Sequence, residues 1–321
     1  MSKFVITIRS VANGQFGGGL GPLRYLIVPD GVQPAPSHAV ARSTWVKAVL
    51  ATFPANAAGA LQGDALFLIH GFNVTSPAAE SWRDSVASGL DQHGGGYRPT
   101  LIAFDWPSAG TAFAYLSDLD VAAKTAVDLV NAAVKPMLQA QTPNCQVKIN
   151  ALAHSMGAFV LRAALGHADD GDVTGSDWML GQLVMVSGDV EASSFASGDK
   201  DTQSMMGHAY RLTNYFNRYD EALMISNAKR AGVEDRVGRV GLPAGAPAST
   251  VNVDCSPRYE SIPNPDPLNP IKTAEFSHSW CFSDPLFYRD LAQTLRGAVD
   301  RNVVAKRTVE ADGTLALATA P

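Results

Sequence analysis

Residues 149–157, Ile-Asn-Ala-Leu-Ala-His-Ser-Met-Gly, constrain the fold more than any other part of the chain. An apolar run of buried-strand type ends in the small residue Ala153. Then come His154, Ser155, Met156 and Gly157, after which Phe159, Val160, Ala163 and Ala164 repeat with helical spacing. A strand that turns this sharply into a helix strains the residue at its apex and pushes that side chain into the open. Small residues are needed two before and two after the apex, because strand and helix backbones pass close together there. Ala153 and Gly157 hold those positions, so the pattern is A-x-S-x-G, with alanine where a nucleophile elbow usually has its first glycine. The chemistry this offers is nucleophilic acyl transfer by Ser155. The plain alternative is an ordinary turn in which Gly157 only permits close packing.

Around this turn, strand-like and helix-like segments alternate. Residues 4–11 and 23–28 read as an antiparallel strand pair joined by a flexible glycine-rich connection, Gly17 to Pro22. No helix N-terminus follows that connection, so it is not a phosphate loop. A helix is expected over 38–52. The continuous apolar run 65–69 reads as a buried strand and is followed by His70-Gly71-Phe72-Asn73. Ser76 then serves as a helix N-cap with Pro77 at the first helical position, and Trp82, Val86 and Leu90 form the buried stripe. Strand 101–104 leads into Asp105-Trp106-Pro107-Ser108 and a helix over 112–138. Strands 147–153, 183–188, 210–216 and 250–254 follow, with a proline-rich segment at 257–270. Asp284-Pro285 opens a last helix that buries Leu286, Leu291 and Leu295. This alternation specifies an α/β fold, a mostly parallel, doubly wound sheet with helices on both faces. The interval between 189 and 210 is too short for a large cap domain. One domain is expected over 1–303, with an N-terminal hairpin in 1–30 and a catalytic core over about 60–300. The tail, 304–321, reads as a hairpin turning at Asp312-Gly313 with disordered final residues.

Composition removes several function classes. The formal net charge of −5, with no run of basic residues, argues against a nucleic-acid partner. Apolar runs fall short of the ~20 residues that span a bilayer, and the N-terminus alternates like a strand and lacks a signal-peptide core. Three cysteines, Cys145, Cys255 and Cys281, make an odd and sparse set that fits a cytoplasmic location. Cys255 and Cys281 flank a long loop and would be able to pair in an exported protein; free thiols are the preferred reading. With no C-x-x-C and no zinc-like spacing, neither metal nor cofactor is expected.

A serine hydroxyl needs a base, and the base needs an orienting acid. In a doubly wound sheet such groups gather at the carboxyl ends of strands. Of seven histidines, only His278 lies after the last strand of the core, on a loop before a helix. His70 precedes the glycine of a backbone turn and suits a structural hydrogen bond. The His154 side chain is expected to point away from Ser155, and His38, His93, His167 and His208 are expected in solvent. Two strands after the elbow lead into aspartates: Asp220 is preferred as the acid and Asp189 is the alternative. For either, a helix cap or a surface carboxylate is the plain reading. Backbone N–H groups of Met156 and Phe72 are the candidate oxyanion donors. Trp106 and Trp280 are candidate pocket walls, with core packing as the alternative.

Taken together, His70-Gly71-Phe72-Asn73, Phe104-Asp105-Trp106-Pro107-Ser108, Ala153-His154-Ser155-Met156-Gly157, Tyr219-Asp220-Glu221-Ala222-Leu223 and His278-Ser279-Trp280 resemble the α/β-hydrolase superfamily. The resemblance spans about 60–300 and is closest to a bacterial branch of serine hydrolases carrying HGFN, WPS and AHSMG segments. It implies Ser155 as nucleophile, Asp220 as acid and His278 as base, in the chain order Ser…Asp…His of that fold. The implied activity is hydrolysis of carboxylic esters with short or medium acyl chains. The same triad would serve acyl transfer, thioester or amide hydrolysis, and a silent fold would serve binding. Families with dehalogenase or epoxide chemistry carry aspartate at the elbow, so Ser155 argues against those.

Overall fold

The computed structural model describes residues 2–108, 115–139, 145–166, 178–229, 234–297, 307–311 and 313–320. Its strands, β1 (Lys3–Ala12), β2 (Gln15–Val28), β3 (Ala39–Val40), β4 (Gln62–Ile69), β5 (Thr100–Asp105), β6 (Gln146–His154), β7 (Leu180–Val186), β8 (Ala209–Phe216), β9 (Thr250–Asp254), β10 (Thr308–Val309) and β11 (Leu315–Ala316), form one 11-stranded sheet. The order is β10-β11-β9-β8-β7-β6-β4-β5-β1-β2-β3. Pairing is parallel from β1 through β5, β4, β6, β7, β8 and β9 to β11, and antiparallel only at β1–β2, β2–β3 and β10–β11. Between the strands run α1 (Arg42–Leu50), α2 (Ser76–His93), α3 (Tyr115–Asp128), α4 (Lys135–Gln139), α5 (Met156–Gly166) and α6 (Lys200–Gly207). The remaining helices are α7 (Glu221–Lys229), α8 (Val237–Val240), α9 (Ser256–Glu260), α10 (Pro270–Ser279) and α11 (Pro285–Arg296).

Strand periodicity builds two cores. Ala65, Phe67 and Ile69 of β4 face one side, joined by Ile149, Ala151 and Ala153 of β6, and meet Trp45, Ala126, Leu161 and Leu165 from the helices. Leu66 and Leu68 face the other side with Leu152, against Val86, Leu90, Leu291 and Leu295. Each fully buried Leu, Ile or Phe contributes about 1.5–3 kcal/mol, so both faces are strongly driven to close. The chain leaves β4 toward β5 on one side and later returns to β6 on the other. Ile69 pairs with Ala153, so the carboxyl ends of β4 and β6 adjoin at the point where the strand order reverses. That crevice is where a doubly wound sheet presents ligands to catalytic side chains.

Several sequence expectations need correction. The glycine tract 17–21 is not a connection but part of β2; the turn is at Asn13-Gly14, both with positive φ. The tract crosses irregular pairing with β1, and a Cβ on Gly21 would lie 2.6 Å from the Arg9 carbonyl oxygen. The cap of α2 is Thr75, whose hydroxyl accepts from Ala78 N at 3.3 Å, rather than Ser76. The helix expected over 112–138 is broken by a π-helical turn, Leu129–Val134, between α3 and α4, and its first residues lie outside the described ones. The tail hairpin is present as β10 and β11, with Asp312 outside the described residues. β11 joins the main sheet beside β9, and Arg258 Nη1 donates to the Thr319 carbonyl at 2.8 Å. No helix among the described residues is long and apolar enough to cross a membrane.

Candidate active site

Ser155 sits between the last residue of β6 and the first of α5 with φ +55°. A non-glycine residue held there costs on the order of 1–3 kcal/mol, and the surroundings enforce it. Ser155 N donates to the Val186 carbonyl at 3.1 Å, and the Ser155 carbonyl accepts from Ala158 N and Asp189 N, each at 3.0 Å. A Cβ on Gly157 would lie 2.3 Å from the Ile69 carbonyl oxygen, so only glycine fits the crossing. Ala153 is fully buried in the first core, and its methyl group has room there. Gly71 backs onto the serine: a Cβ at 71 would come within 2.8 Å of Ser155 Cβ and 3.3 Å of Oγ.

Asp220, fully buried, divides its carboxylate between two tasks. Oδ1 accepts from Leu223 N at 2.9 Å at the start of α7, while Oδ2 lies 2.7 Å from His278 Nδ1. His278 is not on a loop; it occupies the last turn of α10. That turn is fastened by three side chains. His154 Nε2 and Ser187 Oγ donate to the His278 carbonyl at 3.2 and 3.1 Å, and Asn217 Nδ2 donates to the Ser277 carbonyl at 3.0 Å. Burial pulls the His278 pKa down, but the charge of Asp220, its hydrogen bond and the field of Asp189 outweigh it, and the net shift is upward from 6.5. Among the described residues no hydrogen bond joins the Ser155 hydroxyl to His278. His154, the residue before Ser155, has its ring centroid 4.7 Å from that of His278. Serine–histidine bonds of this kind tighten when substrate is bound.

The turn after β4 meets a buried charge cluster. Asp105 Oδ1 accepts from Arg9 Nε at 2.7 Å and lies 3.2 Å from His70 Nε2. Burial favours the protonated acid, but the His70 hydrogen bond and the Arg9 charge hold the Asp105 carboxyl below its ordinary value. Asp189 Oδ1 lies 3.5 Å from Arg236 Nε, and its charge acts on His278 less than that of Asp220 does. Trp106 and Trp280 are not walls of an open pocket. Trp106 is fully buried, stacked on His70 and donating to its carbonyl at 2.9 Å, and Trp280 lies in the second core against Tyr259. His208 is not solvated either: it is buried, with its ring 4.0 Å from that of Trp178. His38 and His93 are half-buried, and His167 lies outside the described residues. All three cysteines are free. Among the described residues no group of three or more His, Cys, Asp or Glu is disposed to hold a metal.

Two sets of residues escaped the sequence reading. His154 is one: its Nε2 donates to the His278 carbonyl and the two rings lie 4.7 Å apart. Arg9 of β1 and Ser108 of the segment after β5 bond to the 70–74 turn across 65 and 37 residues of sequence, partners that no local signal in the chain announces.

Comparison with known proteins gives one family. The model described as "alpha/beta hydrolase of unknown function (DUF900)" matches residues 49–252. No curated protein matches the sequence. Among solved structures, a protein of Lactobacillus plantarum WCFS1 inferred to be a cell surface hydrolase is 13% identical with a TM-score of 0.37, over 76% of this chain and 95% of its own. A metagenomic carboxyl esterase is also 13% identical with a TM-score of 0.37, over 85% of this chain and 83% of its own. Esterase B from Lactobacillus rhamnosis is 9% identical with a TM-score of 0.30, over 74% and 79%.

Proposed function

The chain belongs to the family of α/β hydrolases whose model it matches over residues 49–252, and from that premise we propose that it cleaves carboxylic esters through an acyl-enzyme on Ser155. One observation carries the reading: a serine with φ +55° at a strand-to-helix turn, whose chain neighbour His154 bonds the backbone of a histidine with Nδ1 2.7 Å from a fully buried aspartate. His278 Nε2 takes the hydroxyl proton as Ser155 Oγ adds to the ester carbonyl. Asp220 fixes the tautomer through Nδ1 and offsets the imidazolium charge. The N–H groups of Met156 and Phe72 face the oxyanion, where each such donor supplies ~3–4 kcal/mol of barrier lowering. His278 returns the proton to the departing alcohol and then activates water to release the acid.

The segment between β7 and β8 holds only a 3-10 turn, Ala192–Phe195, and α6. An uncapped site of this kind suits esters with short or medium acyl chains. The test is labelling by a fluorophosphonate together with turnover of p-nitrophenyl esters of graded chain length. Wild type that neither labels nor exceeds Ser155→Ala on any ester sinks the proposal.

A further inference from the structure

The turn between β4 and α2 is pinned by side chains from β1 and from the segment after β5. Trp106 Nε1 donates to the His70 carbonyl at 2.9 Å, and Arg9 Nη2 donates to the Val74 carbonyl at 2.7 Å. Ser108 Oγ donates to the Gly71 carbonyl at 2.9 Å and accepts from Val74 N at 3.2 Å, so one hydroxyl ties both ends of the turn. His70 Nδ1 lies 3.0 Å from the same Gly71 carbonyl. A carbonyl only accepts, so this contact is a hydrogen bond in the ring forms that carry a proton on Nδ1, the assignment adopted for His70. Nε2 then accepts from Trp106 N at 3.3 Å or, in a protonated ring, donates to Asp105 Oδ1 at 3.2 Å. The Nδ1 donor is the same in both cases.

The Gly71 carbonyl is one end of a planar trans peptide, and the other end is Phe72 N–H. The two bonds point in opposite directions, so donors that fix the carbonyl also fix the N–H. We infer that His70 and Ser108 are positioning residues: by holding the Gly71 carbonyl they aim Phe72 N–H at the oxyanion formed when Ser155 adds to a substrate carbonyl. Both side chains are buried, at 3% and 0% exposure, so neither touches substrate. The inference rests on the proposed acyl-enzyme chemistry and adds the residues that preorganise one of its donors.

Ser108→Ala deletes both hydroxyl bonds, Ser108→Cys keeps the volume while weakening them, and Ser108→Thr keeps the hydroxyl. A misaimed oxyanion donor acts in the transition state, so Ser108→Ala is expected to lower kcat for p-nitrophenyl butyrate by about 10- to 100-fold with KM within about 2-fold. Ser108→Cys lowers kcat by less, again at constant KM, and serves where the alanine variant does not fold. Ser108→Thr recovers most of the loss. The Ki of a trifluoromethyl ketone, whose adduct on serine carries the oxyanion, rises by the same factor as kcat/KM falls. A loss confined to KM, or a ketone Ki that stays at the wild-type value in Ser108→Cys, overturns the inference while leaving the hydrolase reading intact. Wild-type turnover no greater than that of Ser155→Ala overturns both.

Discussion

His154 donates its Nε2 proton to the carbonyl of His278, and the two rings lie 4.7 Å apart with 47° between their planes. Two imidazoles this close cannot both carry charge in a buried site. Their environments separate them. Burial, and then repulsion from His278, push the His154 pKa down to about 3, whereas the charge and hydrogen bond of Asp220 overcome burial and raise that of His278. Near neutral pH one ring is a neutral donor, and the other is held toward its protonated form.

The base must be neutral to accept the serine proton, so kcat/KM falls as pH drops through the His278 pKa, and that midpoint is expected above 6.5. Asp220→Asn removes the charge that raises it. Burial then dominates, the acid limb moves to lower pH, and kcat drops by about 10³- to 10⁴-fold. Asp189→Asn takes away a smaller upward influence, so its limb shifts down slightly and its kcat stays within about 10-fold of wild type. Rate profiles from pH 5 to 9 check both variants. The larger loss in Asp189→Asn would reverse the assignment of the acid.

The depressed His154 pKa carries a stability prediction. The unfolded chain takes up a proton on this side chain near pH 6.5, and the folded one does so only near pH 3. Between those values the unfolded state binds more protons, so this contribution is complete above pH 6.5 and is lost progressively toward pH 3. The loss amounts to on the order of a few kcal/mol by pH 4. His154→Gln keeps a donor for the His278 carbonyl and cannot titrate. Its Tm should fall less between pH 7 and pH 4 than that of wild type, and parallel curves would count against the assignment.

Much of this architecture is legible in the chain for a physical reason: a buried parallel strand shows as an unbroken apolar run, as in 65–69, whose alternate residues enter opposite cores. The elbow is legible because backbone crossing demands small residues at 153 and 157. What stays hidden depends on long-range partners. Nothing local says that the 17–21 glycines lie in a strand, since the reason is the close approach of Arg9 and Ser10 on β1. The helix under His278 follows a proline-rich stretch that reads as loop, and it is capped by Asn269, whose side chain accepts from Ile271 N and Lys272 N. Trp106 and Trp280 are placed by burial, which a tryptophan in sequence does not announce.

The C-terminal strand pair is held by an ion pair. Arg307 Nε and Nη2 donate to Asp290 Oδ2 and Oδ1 at 2.8 and 2.6 Å, and Tyr215 Oη donates to the same Oδ1 at 2.5 Å. Removing one partner leaves a buried charge uncompensated, which costs about 3–5 kcal/mol. Arg307→Ala is expected to lower the unfolding free energy by that amount, read from the urea midpoint and slope, while kcat per folded molecule stays near wild type. A stability change under ~1 kcal/mol would show that the tail contributes little to the fold.

The alanine at the first small position of the elbow gives the last prediction. Ala153 is fully buried in the first core, so Ala153→Gly restores the usual motif at the loss of a packed methyl group and a stiffer backbone. The two effects sum to about 1–2 kcal/mol of destabilisation. The crossing already clears the methyl group, and Ser155 keeps its φ through bonds at Val186, Ala158 and Asp189 that the substitution does not touch. Turnover should therefore stay within about 2-fold of wild type. A gain of tenfold or more in kcat would mean that Ala153 holds the serine off its best position, and that the elbow is a compromise between packing and attack.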